Sequence, residues 1–205
     1  MSEYQIPQAP CTTTIEVKRS QFICHIAHTP DVVSARQFVA QMKEEYPDAS
    51  HNCSAFVAGA PKDSQCYGFS DDGEPSGCAG RPMLKVLQGQ NIGEICVVVT
   101  RYFGGIKLGT GGMARAYADA VKEGLRGVTW QTKKPQTVLY LAFPFEYEST
   151  MRYLVKSHDA HWLETEYGTQ VDCHIEIEEE KVKIFLEQSK EKTNAKLIIH
   201  ENGTN

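Results

Sequence analysis

The sequence predicts an α+β protein made of two successive patterned regions, and three observations carry that expectation. A polar segment, Gln131-Thr-Lys-Lys-Pro-Gln136, contains Pro135 and separates the two regions. After it, strand and helix periods follow one another as β-α-β-β-α-β, the split ferredoxin-like arrangement. Before it, strand and helix patterns surround one unbroken apolar run, Ile95-Cys-Val-Val-Val99, whose composition implies burial on both faces. The domains are therefore placed at 1–135 and 136–205, within a chain of 205 residues.

In the first region, Thr12–Lys18 and Gln21–Ala27 read as strands joined by a short turn. Thr29 is the expected helix cap, with Pro30 at the first helical position. Val32, Ala35, Phe38, Val39, Met42 and Tyr46 then keep a helical period until Pro47, whose ring opposes continuation. Asn52–Ala58 and Cys66–Phe69 are strand-like, and Ala79–Gln88 is a short helix with Pro82 near its start. Glu94–Phe103 is the clearest strand. A helix follows the glycine-rich loop, with Met113, Tyr117, Ala120, Val121 and Leu125 on one face.

The second region begins with a strand at Thr137–Phe143 and a helix at Phe145–Ser157. His161–Tyr167 and Gln170–Ile177 form a hairpin about Gly168. A helix at Glu179–Lys192 and a strand at Ala195–His200 complete the pattern.

Composition excludes several classes. No apolar stretch approaches the roughly 18–20 residues of a membrane span. The N-terminal MSEYQIPQAP has neither a basic n-region nor an apolar h-region, so no signal peptide is expected and the cytoplasm is the expected location. Seven cysteines without a C-x-x-C read as free thiols. His25-x-x-His28 and His158-x-x-His161 have ligand-like spacing, but no cysteine pair completes a zinc site, so neither metal nor cofactor is expected. Residues 1–135 carry 14 Lys plus Arg against 13 Asp plus Glu, whereas residues 136–205 carry 7 against 13. That balance rules out a globally basic nucleic-acid binder and leaves room for a local basic site in the first region.

Arg101-Tyr-Phe-Gly-Gly-Ile-Lys-Leu-Gly-Thr-Gly-Gly-Met-Ala-Arg115 is the first candidate site. Gly109-Thr-Gly-Gly-Met-Ala114 has the letters of a dinucleotide fingerprint, but Gly104 to Leu108 separate it from the strand, which the tight-turn geometry forbids. Gly104 and Gly109 are not followed by Lys-Ser/Thr, so there is no P-loop. What survives is a glycine-rich helix start whose free N–H groups and dipole attract an anion. Arg115 is disfavoured near that start unless an anion is present, or unless it pairs with Asp119. Tyr102 and Phe103 offer a stacking surface or simply end a buried strand.

Ser70-Asp-Asp-Gly-Glu-Pro-Ser-Gly77 is the second candidate. Asp71, Asp72 and Glu74, around Gly73, have the chemistry of a cation site or an acid–base pair, without EF-hand spacing. The alternative is ordinary turn chemistry, with the carboxylates paired to Arg81, Arg101 or Arg115 to hold loops together. His51 is a candidate base or a surface histidine, and Cys78 has the most exposed-looking setting of the thiols.

Taken together, SDDGEPSGCAGRPML at 70–84 and IGEICVVVTRYFGGIKLGTGGMARAY at 92–117 resemble the YigZ/IMPACT family, and the resemblance extends over the whole chain. It implies a ribosomal-protein-S-five domain-two-like first domain. It implies a second domain similar to the C-terminal ferredoxin-like domain of elongation factor G. Eukaryotic relatives act in translational control and bacterial relatives have been thought to bind nucleic acid or act near the ribosome. The motif positions carried over are Asp71, Asp72, Gly73, Glu74, Pro75, Arg101, Tyr102, Gly104, Gly105, Gly109 and Gly112. Cys78 departs from the family pattern, where a small hydroxylated residue is expected.

Two readings follow. One is a non-enzymatic, translation-associated protein that binds RNA or the ribosome through Arg101, Tyr102, Gly104, Gly105, Lys107, Gly109, Gly111, Gly112 and Arg115, with the acidic second domain left for a protein partner. The other is a small-ligand or phosphometabolite enzyme using Asp71, Asp72 and Glu74.

Overall fold

The computed structural model describes residues 3–61 and 63–200, which form two compact α+β units. The first spans Tyr4–Lys133. Its elements are β1 (Tyr4–Pro7), β2 (Cys11–Val17), β3 (Ser20–His28), α1 (Val32–Glu45), β4 (His51–Val57), β5 (Tyr67–Ser70), α2 (Gly80–Gln88), β6 (Ile95–Tyr102), α3 (Thr110–Gly127) and β7 (Trp130–Lys133). Five antiparallel strands lie in the order β2-β3-β6-β4-β5, and β1 pairs with β7. This fits the ribosomal-protein-S-five domain-two-like α/β arrangement that the resemblance implies.

The central strand explains its own composition. Ile95, Val97 and Val99 join Phe22, Met83, Leu87 and Tyr117 in one core, which α2 and α3 cover. Cys96 and Val98 face the other way, into a smaller core with Ala35 and Met42 of α1. Successive side chains on a strand point to opposite faces, so a strand covered on both sides must be apolar throughout.

The helix caps differ from the sequence expectation. Asp31, not Thr29, caps α1, accepting from Ser34 N at 2.7 Å while Ser34 Oγ accepts from Asp31 N. Pro30 lies outside the helix and Thr29 is buried, its N–H given to Glu94 O at 2.7 Å. Strand β1 has no sequence signal because four residues carry too little periodicity, and Gln131–Lys133, a linker by composition, forms most of its partner β7.

The second unit contains β8 (Gln136–Phe143), α4 (Glu148–Ser157), β9 (His161–Tyr167), β10 (Val171–Glu178), α5 (Val182–Lys192) and β11 (Ile198–His200). The antiparallel order β11-β8-β10-β9 is the ferredoxin-like topology that the periodicity predicts. Leu141, Phe143, Met151, Leu154, Ile175, Ile177 and Phe185 fill its core. The expected helix starts at Phe145 and Glu179 are single 3-10 turns ahead of α4 and α5, and Ala195–Leu197 is not strand. Among the described residues, no helix is long and apolar enough to cross a membrane.

Candidate functional site

The acidic loop between β5 and α2 sends each of its three carboxylates to a different element. Asp71 accepts N–H donors from Gly77 (2.8 Å), Ala79 (3.0 Å) and Gly80 (2.8 Å), and so caps the start of α2. Burial alone would raise its carboxyl, but these three donors, aided by Arg81, outweigh burial and hold it below the usual range. Asp72, in a left-handed conformation at φ 45°, accepts from Asn52 N of β4 at 2.7 Å and from Lys43 of α1. Its carboxyl is likewise lowered: burial opposes, and Lys43 and the Asn52 N–H prevail.

Glu74 goes deepest, at 7% exposure. Its Oε1 accepts from Arg101 Nη1 of β6 and from Tyr117 OH of α3 at 2.8 Å. Arg101 is itself 6% exposed, with its guanidinium over the Phe22 and Phe103 rings at 5.6 Å each and Nη1 3.6 Å from Met113 Sδ. Its Nε is buried and has no hydrogen-bond partner among the described residues. Cys53 Sγ lies 3.3 Å from Tyr117 OH and 3.0 Å from Asp71 O. Burial pushes the Cys53 thiol up to about 12, so it is a protonated thiol and no nucleophile at neutral pH.

His51 completes the cluster. Its Nδ1 lies 2.8 Å from the Asp72 carbonyl, which can only accept, so Nδ1 carries the hydrogen. Nε2 is thereby directed to Glu74 Oε2, 3.8 Å away, with the ring half-buried. Among the described residues, no three His, Cys, Asp or Glu side chains converge with metal-holding geometry.

The glycine-rich segment lies on the other side of Arg101. Tyr102 OH donates to Asp48 at 3.0 Å, while Phe103 is 51% exposed. Gly104 packs against the β2–β3 turn so closely that a Cβ would fall 2.0 Å from the carbonyl atoms of Arg19. That close approach sets the exposed Lys18 and Arg19 beside the loop, a juxtaposition with no sequence signal because 84 positions separate the hydrogen-bonded Ser20 and Gly104. Gly105 and Gly109 have positive φ (84° and 72°), whereas Gly111 has neither a positive φ nor any atom within 4 Å of where a Cβ would stand. Gly109 begins α3 without a capping side chain. Lys107 and Arg115 are exposed, and among the described residues neither forms an ion pair; Asp119, the expected partner of Arg115, is held by Lys122 at 2.9 Å.

The structure thus brings Asp71, Asp72, Glu74 and Arg101 together and leaves Lys107, Gly109, Gly111 and Arg115 exposed, with Gly112 half-buried. Arg101 sits in a buried ion pair, whereas Lys107 and Arg115 are exposed. Cys78 is buried at 8% exposure, contrary to its glycine-flanked appearance, because it lies where the loop turns into α2. Tyr117 and Cys53 are legible in the sequence only as core residues, and their hydroxyl and thiol join the cluster through tertiary packing.

A split ferredoxin-like unit following an α/β unit, with an acidic loop bonded to the arginine ahead of a glycine-rich helix start, defines a class of two-domain proteins. The Impact N-terminal domain model matches residues 18–125, which hold this whole cluster. The IMPACT family member YigZ of Escherichia coli is 44% identical over 185 residues, covering 90% of this chain and 91% of that protein. An IMPACT family member of Haemophilus influenzae is 39% identical over 199 residues, 97% of each. A crystal structure of a protein described as hypothetical superposes with a TM-score of 0.71 at 41% identity, covering 99% of this chain and 100% of that one. The chain belongs to the IMPACT family.

Proposed function

We propose that this chain is a non-enzymatic cytosolic protein of translation control that binds RNA, free or on the ribosome, through the exposed segment Phe103–Arg115. The observation that carries this reading is the pair of surface cations, Lys107 and Arg115, which flank the uncapped start of α3 and form no ion pair among the described residues. Free N–H groups at a helix start and nearby cations suit a phosphate. Phe103 adds an exposed ring for stacking, and Lys18 and Arg19 extend the positive rim. Gly111, which no packing or backbone reason requires, keeps the backbone open to close approach. Arg101 acts beneath this surface, tying β6 to the acidic loop. The acidic second unit is left for a protein partner.

The test is a salt titration of binding to structured RNA and to purified ribosomes, comparing the chain with its Lys107→Ala/Arg115→Ala variant. Affinity is expected to fall steeply with salt. The variant's log–log slope is expected to be shallower by about one to two, at roughly 0.7–0.9 for each phosphate that is no longer neutralised. Equal slopes would remove these two residues from the interface. Arg101→Ala is unsuitable, because it leaves Glu74 buried and unpaired.

One observation favours a small-ligand site instead: His51 is held in a single tautomer with Nε2 facing a buried carboxylate. A thermal shift with nucleotide plus magnesium, abolished in His51→Ala, would support that reading.

A further inference from the structure

We propose that the open face of the second unit's sheet binds a lysine- and arginine-rich segment of a partner protein. This rests on assigning the second unit to a protein partner, and it adds the face and the chemistry. Strand β10 divides the two faces. Val171, Cys173, Ile175 and Ile177 are buried in the core with α4 and α5, and Asp172, His174 and Glu176 point the other way. Pairing extends that outer face sideways. Glu164 of β9 lies opposite His174, which lies opposite Tyr140 of β8, itself opposite His200 of β11. Glu166 lies opposite Asp172, and His161 opposite Glu176.

The charge on this sheet is one-sided. Strands β8 to β11 contain five carboxylates and no Lys or Arg. Among the described residues, only Glu178, at the end of β10, is met by cations, Lys134 and Lys181, each at 3.3 Å. Glu164 and Asp172 have, among the described residues, only histidine within ion-pair distance, His174 at 3.6 Å and His200 at 3.8 Å. Glu166 and Glu176 form no ion pair among the described residues. Glu166 directly opposite Asp172 is a like-charge cross-strand pair, an arrangement that destabilises a sheet unless a cation is supplied. The unit's other cations, Arg152, Lys156, Lys183, Lys190, Lys192 and Lys196, lie on helices or connections, and among the described residues none of them forms an ion pair with a carboxylate of these strands.

The rest of the face suits long cationic side chains. Tyr140 packs edge-on against His174 at 4.4 Å, offering an aromatic surface to a guanidinium or ammonium group. Ile198, 48% exposed, offers apolar area to an aliphatic stem. A phosphate backbone would be repelled here, which separates this face from the RNA surface of the first unit.

The experiment measures fluorescence anisotropy of a labelled oligolysine peptide with the full chain, its Glu166→Gln/Asp172→Asn variant, and a Glu187→Gln/Glu191→Gln variant. The last removes the same charge from exposed positions on α5. The sheet variant is expected to bind about tenfold more weakly and the helix variant within about twofold of the parent, both with unchanged circular dichroism. Equal losses in the two variants would mean diffuse charge attraction and overturn the site, as would an unaffected sheet variant. Absence of binding by the parent at low salt would overturn the cationic chemistry. RNA binding measured on the same three proteins keeps the two surfaces distinct: it is expected to be unchanged, and its loss in the sheet variant would reassign this face to RNA.

Discussion

In the first unit, Asp71, Asp72, Glu74 and Glu94 turn toward the protein, and each is met by several donors. In the second, Glu164, Glu166, Asp172 and Glu176 stand on a sheet that contains no Lys or Arg. The same side-chain chemistry therefore does two kinds of work. Inside the first unit a carboxylate is a junction: Glu74 ties β6 to α3, and Glu94, 4% exposed, gathers Tyr4 OH (2.9 Å), His28 Nε2 (2.7 Å) and Lys133 Nζ (2.5 Å) from β1, β3 and β7. On the second unit's sheet Glu166 and Asp172 stand opposite each other, and among the described residues no Lys or Arg pairs with either. Charge that is internally satisfied supports the fold, and charge left unsatisfied at a surface is available to a partner.

The sharpest way to break this contrast is Glu74→Ala. It leaves Arg101 charged and buried without its carboxylate, an expected loss of about 3–5 kcal/mol in the first unit. Urea unfolding followed by Trp130 fluorescence in a Trp162→Phe background reads that unit, since the chain has one tryptophan in each. Replacing both partners, Glu74→Met/Arg101→Met, is expected to cost less than the single change, because no lone charge remains buried. A loss within about 0.5 kcal/mol for Glu74→Ala, the range of ordinary surface substitutions, would show that the pair is not a junction.

A smaller effect comes from acid. Burial alone would raise the Glu94 carboxyl, but Lys133, His28 and Tyr4 outweigh it and hold it low. A carboxylate lowered in the folded state contributes stability above its unfolded value, about 4.3, and loses it as pH falls through the folded value. Stability is therefore expected to decline from roughly pH 4 downward. In Glu94→Gln the neutral-pH stability is lower and that acid limb flatter. An unchanged limb would place the acid sensitivity in Asp71 and Asp72.

The smallest effect has the opposite sign. Glu166→Gln removes the like-charge opposition to Asp172, with an expected gain of about 0.2–1 kcal/mol, read from Trp162 fluorescence in a Trp130→Phe background. A loss of stability there would mean that Glu166 is used within the fold, and the contrast between the units would blur.

Periodicity carries much of the architecture. The alternation in β10 and the unbroken run of β6 each report how many faces of a strand are covered, which is a local consequence of burial. The order of elements in the second unit is legible for the same reason. Strand β1 is not, because its pairing with β7 spans the whole first unit and leaves no local period. Sequence alone places the α1 cap two residues early, at Thr29, because the cap is decided by the hydrogen bonds that Asp31 and Ser34 exchange in the folded chain.

The two-unit α+β architecture, the candidate loops and the acidic character of the second unit are legible in the chain alone, because composition and period are local properties. Tertiary structure decided which charges are internal. Arg101 and Arg115 look alike in the sequence, yet one is buried against Glu74 and the other is exposed without an ion-pair partner among the described residues. Burial and pairing depend on elements brought together across 27 and 43 positions, as Glu74 is with Arg101 and Tyr117. The free energy of a charge is set by what surrounds it in space, not by its neighbours in sequence.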